Sequence, residues 1–494
     1  MHTHPTLLFD RARVRFLWIL GLTLQSLFLP STHGSEDLPW AKGDRRTGAV
    51  EPGVSGESFT ARSLLAGIED SQLELLRDGV PSGLGEQEVL AKILYRLSRP
   101  SRATLEQLTT PGGLEQFADP QRSRRWTLVA LRGRLTQLQR IALLPELAER
   151  LEFTHYWQAM LVLSNTDQAV ELYLRAIPGT WRNSESIDER VRVNAMFLKR
   201  GETVEGRARL VFAADSPEWY PESANKELGV TSDMVRLAGL EFDVSLFDQV
   251  RGTNGLPLGK PDQEAFYQLL AAVGRASQQE FESHAAPFEL ADAVERPKEQ
   301  HGRWIEVTGT ARAVKRIAIE DPRLRARFGF DHFFEVDLLV AMGDQSVRIG
   351  KDGPVINNSF PVTCCTRSIP AAWQRTLPAN GSGKLRDPVR FVGVHFKVWG
   401  YNSERMERAA SERPAAAAKN ERNLQISPLL IGQQVTLLAP PPPLESSGTF
   451  FGTMAMVLVA LVGAAIWWLS RSDRQQRRRS RAALQPEPRL PPST

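Results

Sequence analysis

The sequence predicts an α+β chain of tandem duplicated modules, each a helical segment followed by a small β-barrel, with one C-terminal transmembrane helix. Three observations predict it. The chain repeats itself in order at an offset near 176 residues, each half carries runs of period-two alternation, and an uncharged apolar stretch near the end is backed by arginines.

The 494 residues are 42% hydrophobic and 24% charged, with two cysteines. These values exclude a disordered chain, a collagenous one and a small disulfide-stapled scaffold. The formal charge of +4 belongs to the ends. Ten of the 61 Lys and Arg residues and three of the 57 Asp and Glu residues lie in 1–34 and 470–494, so the central 435 residues sum to −3. Nucleic-acid-binding domains concentrate positive charge, so no nucleic-acid partner is expected.

Residues 1–34 read as a signal peptide. Arg11, Arg13 and Arg15 precede the apolar run Phe16 to Leu29, and Pro30 and small residues come after it, with cleavage after Gly34. An uncleaved anchor is the alternative, and both export the central part of the chain. Residues 35–61 are a polar, Gly-rich leader. Residues 450–469 form the transmembrane helix, with Trp467 and Trp468 at its boundary and six arginines from Arg471 to Arg481 behind it. The positive flank places the N-terminal portion outside and the basic tail, 470–494, in the cytoplasm. Residues 439–449 are a Pro-rich stalk.

Module 1 spans 62–225 and module 2 spans 234–438. Leu65-Ala-Gly-Ile-Glu69 recurs as Leu237-Ala-Gly-Leu-Glu241, and Glu86-Gln-Glu88 as Asp262-Gln-Glu264, each before a helical pattern. Gly133 with Arg140 recurs as Gly309 with Arg316, Phe153-Thr-His155 as Phe330-Asp-His332, and Ile177-Pro-x-x-Trp181 as Ile369-Pro-x-x-Trp373. Val191, Arg192 and Lys199 recur as Val389, Arg390 and Lys397.

Five alternating runs in module 2, the first interrupted by Gly309, predict a strongly bent first strand in a small closed sheet. Over 126–219 and 304–437 this resembles an OB-type barrel, with a six-stranded sandwich as the alternative. The helical segment either packs across each barrel or caps its end.

Candidate ligand-binding residues are Trp181, Trp373, Arg192 and Arg390, aromatic surfaces and cations at repeated positions that suit a peptide, glycan or protein surface. The same residues could equally close a barrel end. The expected role is a membrane-anchored, exported binding or scaffolding protein of the cell envelope, held to the membrane through one helix, with a protein or glycan partner outside the cytoplasm. The alternative is an extracytoplasmic enzyme using Asp331, His332, Glu335 and Asp337 as a metal or acid/base cluster; single-stranded nucleic-acid binding ranks third. His155 and His332 repeat without repeating carboxylates, and Cys364 and Cys365 read as buried strand thiols. No HExxH, paired CxxC, GxSxG or phosphate-loop motif occurs, so no catalytic residue, metal or cofactor is assigned.

Overall fold

The first strand of each sheet is bent at a glycine because no side chain fits there. A Cβ on Gly133 would stand 2.0 Å from the Val162 carbonyl oxygen, and one on Gly309 would stand 2.7 Å from that of Leu339. The missing side chain lets the first strand turn from one neighbour to another and close the sheet.

The computed structural model describes residues 60–439, except 82, 112–113, 119–123, 167, 185, 205–206, 349–354 and 402–423, together with 454–469 and 471. The first sheet contains β1 (Leu128–Ala142), β2 (His155–Leu163), β3 (Ala169–Leu174), β4 (Glu189–Val204) and β5 (Arg207–Ala214). β1 pairs antiparallel with β2 and β2 with β3. β3 runs parallel to β5, and β4 joins β5 back to β1. The result is a closed five-stranded barrel of the OB type.

The second sheet contains β6 (Trp304–Ala318), β7 (His332–Arg348), β8 (Val355–Ser368), β9 (Pro388–Tyr401) and β10 (Gln425–Leu437). Its pairings take the same sequence: β6 with β7, β7 with β8, β8 parallel to β10, β10 with β9, and β9 with β6. It too forms a ring, and the sandwich expectation gives way to it. The strands run longer than the alternation suggests, since β7 extends to Arg348 and β10 to Leu437.

A helix lies across the outside of each sheet. α1 (Gln87–Leu97) shares an apolar cluster, through Leu90, Ile93, Leu94 and Leu97, with the outward residues Met196, Leu198, Val211 and Ala213. α4 (Lys260–Val273), which comes after α2 (Arg102–Leu108) and α3 (Pro145–Leu151), does the same through Phe266, Leu269 and Leu270 against Val392, Val394, Phe396 and Ile431. Its Phe266 ring lies 5.2 Å from Phe333 and 5.9 Å from Phe396. Each such side chain contributes roughly 1.5–3 kcal/mol on burial, so these stripes fix the helix to the barrel wall.

Cys364 joins the interior cluster of the second barrel with Val362 and Leu430, while Cys365 belongs to the outer cluster under α4. Both thiols are buried and free, and burial pushes both well above the ordinary thiol range.

The chain separates into two units, 1–437 and 438–494. In the second, residues 454–469 are helical with exposed side chains, and Arg471 lies 5.1 Å over the Trp467 ring. Among the described residues no helix is long and apolar enough to cross a membrane. The expected signal peptide, the leader before residue 60, the stalk after residue 439, residues 450–453 of the expected span and all of the tail except Arg471 lie outside the described residues.

Candidate functional site

β4 and β9 carry the repeated polar positions. Each is bulged just before its lysine, between Phe197 and Lys199 in β4 and between His395 and Lys397 in β9. A bulge re-aims the next side chain, and both lysines turn outward to the helix N-terminus. Lys199 Nζ lies 2.7 Å from both carboxylate oxygens of Glu86 and donates to the Val80 carbonyl at 3.0 Å. Lys397 Nζ lies 3.1 Å from Asp262 Oδ2 and 2.8 Å from Thr253 Oγ1. Both lysine side chains are fully buried. Burial lowers Lys397 from the ordinary lysine range, against the pull of Asp262.

A second pair ties each helix to the helix that succeeds the bent strand. Glu88 meets Arg150 of α3 at 2.7 Å, and Glu264 meets Arg327 of α5 (Pro322–Phe328) at 2.6 Å. The repeated acidic pairs at 86/88 and 262/264 are therefore clamps.

Trp181 and Trp373 face the interior. Trp181 sits in the single turn Gly179–Asn183 after β3, fully buried, edge-on to Trp219 at 5.3 Å. Trp373, in α6 (Ala371–Thr376) after β8, is 2% exposed, and its Nε1 donates to Asp387 at 2.8 Å. Each plugs its barrel from the end.

Arg192 and Arg390 stay on the outer wall, each about 30% exposed. Arg192 Nε stands 4.0 Å from Glu218 Oε2, and Arg390 Nε stands 3.9 Å from Glu306 Oε2. Neither Nε has a hydrogen-bond partner among the described residues, though both are buried. Burial pushes Glu218 above the ordinary carboxylate range, opposed by Arg102. Arg390 also pairs with Glu282 at 2.7 Å. Arg192 opens into a cleft of about 260 Å³ between barrel and helical segment, lined by Glu106, Thr109, Pro111, Ala130 and Asn194 among others. Glu106 is held there by Arg327 at 2.8 Å. A guanidinium facing a cleft of this size can receive a polar or carboxylate-bearing side chain.

β7 does not bring the proposed acid/base cluster together. Its pairing is continuous from His332 to Asp337, so alternate residues take opposite faces. Phe334 and Val336 point into the barrel with Leu338, Glu335 and Asp337 lie on the other face, and the His332 ring lies edge-on to Phe334 at 5.3 Å. Among the described residues no group of three His, Cys, Asp or Glu side chains is arranged to hold a metal ion.

Fold and site together define a chain with two barrels of one strand order, each clamped to its own helix. No family model matches the sequence, and no curated protein matches it. Among solved structures, a deletion variant of the single-stranded DNA-binding protein from Thermus aquaticus is similar at 8% identity and a TM-score of 0.14, covering 64% of this chain and 96% of that one.

Proposed function

We propose that this chain is a membrane-anchored, exported binding or scaffolding protein of the cell envelope, made by duplication of one helix-plus-barrel module. Duplication is supported by the common strand order, the paired glycines, the bulge before each lysine and the two helix clamps at corresponding positions. The observation that carries the binding role is the pair Arg192 and Arg390. They occupy corresponding places on two barrel walls, and each keeps a guanidinium Nε without a hydrogen-bond partner among the described residues. Each side chain is about 30% exposed, so its outward guanidinium nitrogens can donate charge-assisted hydrogen bonds to a partner's acceptor. Two such walls on one tethered chain give a second contact at high effective concentration. Membrane attachment and orientation rest on the basic, apolar and arginine-backed segments of the sequence.

Crosslinking the full chain to its neighbours in native membranes tests the role. Arg192→Ala combined with Arg390→Ala should lose a neighbour that the parent captures. Unchanged crosslinks in the double variant overturn the assignment. Protease added to intact cells should cleave the barrels and spare the arginine-rich tail; the reverse pattern overturns the topology.

A further inference from the structure

The end of the first barrel gathers cations that belong neither to the helix clamps nor to the Arg192 cleft. Arg140 lies near the end of β1, His155 opens β2, Arg175 comes directly after β3, and Arg182 lies in the turn that carries Trp181. The strand register makes Arg140, His155 and Arg175 neighbours: Ala142 is opposite His155, Arg140 is opposite Trp157, and Trp157 is opposite Leu174, the residue before Arg175; the charge of Arg182 also acts on His155. Arg140 Nη2 is 3.3 Å from His155 Nδ1, which also meets the Thr154 hydroxyl at 2.9 Å. Arg175 lies 3.9 Å over the Phe153 ring, and its buried Nε has no hydrogen-bond partner among the described residues. Arg140 and Arg182 form no ion pair among the described residues. The nearby carboxylate is Asp215, whose charge acts on Arg175. Burial, then the charges of Arg140, Arg182 and Arg175, push His155 below the ordinary 6.5.

The second barrel shows what such a place accepts. Arg316, His332 and Arg367 stand at the positions of Arg140, His155 and Arg175, and Arg367 lies 4.8 Å over Phe330 as Arg175 lies over Phe153. There the residue before the histidine is Asp331 in place of Thr154, and its Oδ1 lies 2.6 Å from His332 Nδ1. His332, and then Arg316, hold Asp331 below the ordinary carboxylate range. Gln374 replaces Arg182. One barrel end thus sets a carboxylate against its histidine, while the other has Thr154 in that place and one more arginine.

We propose that Arg140, His155, Arg175 and Arg182 form a binding site for an oxyanion, a phosphate or carboxylate group of an external ligand, which occupies the place that Asp331 fills in the second barrel. The guanidinium groups supply charge-assisted, forked donors, and protonated His155 adds one more. The site is separate from the Arg192 cleft and does not depend on it.

The test uses the full chain labelled at histidine carbon, titrated with inorganic phosphate and separately with acetate, with the His155 resonance and calorimetry as readouts. Binding should raise the His155 pKa, and Arg140→Ala and Arg182→Gln should each weaken it about tenfold or more. Tighter phosphate than acetate identifies a phosphorylated ligand, and the reverse a carboxylate. Thr154→Asp installs the arrangement of the second barrel: it should raise the His155 pKa without ligand and abolish binding, while keeping the parent's unfolding temperature. An unmoved His155 resonance at saturating phosphate and acetate, or Thr154→Asp and Arg182→Gln proteins that bind as the parent does, overturn the proposal.

Discussion

His395 occupies, in the second barrel, the position that Phe197 holds in the first. Phe197 packs against Phe117 at 4.6 Å and Phe212 at 5.4 Å. His395 is fully buried, with no hydrogen-bond partner for either ring nitrogen among the described residues, and burial, then Arg303, push it down to about 3. An unfolded histidine takes its proton near 6.5. Between about pH 6.5 and pH 3 the unfolded chain therefore binds more protons than the folded one, and stability falls as pH falls. From pH 7 to pH 4.5 this residue alone should remove roughly 3 kcal/mol. His301, 6.0 Å away and pushed down by burial and then by His395, acts in the same direction. Urea unfolding of His395→Phe should show that acid loss reduced by about this amount, with stability at pH 7 equal or higher; an unchanged pH dependence would refute the account. The histidine was legible as a residue but not as a problem, because its exposure depends on which face of β9 meets the core. The tryptophans show the same limit: their spacing gave matched positions, and only the closed barrel turns both indoles inward.

At the scale of the element, the bent strand and the helix clamp each make a measurable demand. Gly133→Ala forces a methyl group against a carbonyl 2.0 Å away, and Gly309→Ala against one 2.7 Å away. Both should destabilise by several kcal/mol through backbone displacement, Gly133→Ala more. Equal, sub-kcal/mol costs in thermal or urea unfolding would mean that the strands relax freely. The clamp behaves differently because both of its partners can be removed. Lys199→Met leaves Glu86 charged against an apolar wall and should cost about 3–5 kcal/mol. Adding Glu86→Gln should recover most of that loss, read as a coupling energy in a double-mutant cycle. Glycine, alternation and repeat offset are local signals, and they made the bent strand and the five runs readable before any coordinates. The clamp was not readable, since Lys199 and Lys397 find partners 113 and 135 residues away. Repetition marked those lysines without saying what they touch.

At the scale of the whole molecule, one ion pair recurs in two settings and has different consequences. Arg150 and Glu88 are each more than half exposed, so their attraction is screened and contributes at most about 1 kcal/mol. Arg327, 15% exposed, reaches Glu264 at 2.6 Å and also Glu106 of α2 at 2.8 Å, which joins the first helical segment to the second barrel. Although burial alone would lower Arg327, Glu264 and then Glu106 hold it above the ordinary arginine range. Arg102 to Asp243 at 2.7 Å, and the Gly179 amide donating to Asp248 at 2.7 Å, cross the same seam. Removing Arg327 leaves two partly buried carboxylates facing each other without their cation, and like charges in one site raise the free energy of the joined state. Arg327→Ala should therefore divide a single calorimetric unfolding transition into two, as the barrels lose their coupling, whereas Arg150→Ala should leave the transition whole and shift it little. A single undivided transition in Arg327→Ala, at the parent's temperature, would mean that the apolar seam of Leu237, Phe242 and Phe247 alone joins the two halves.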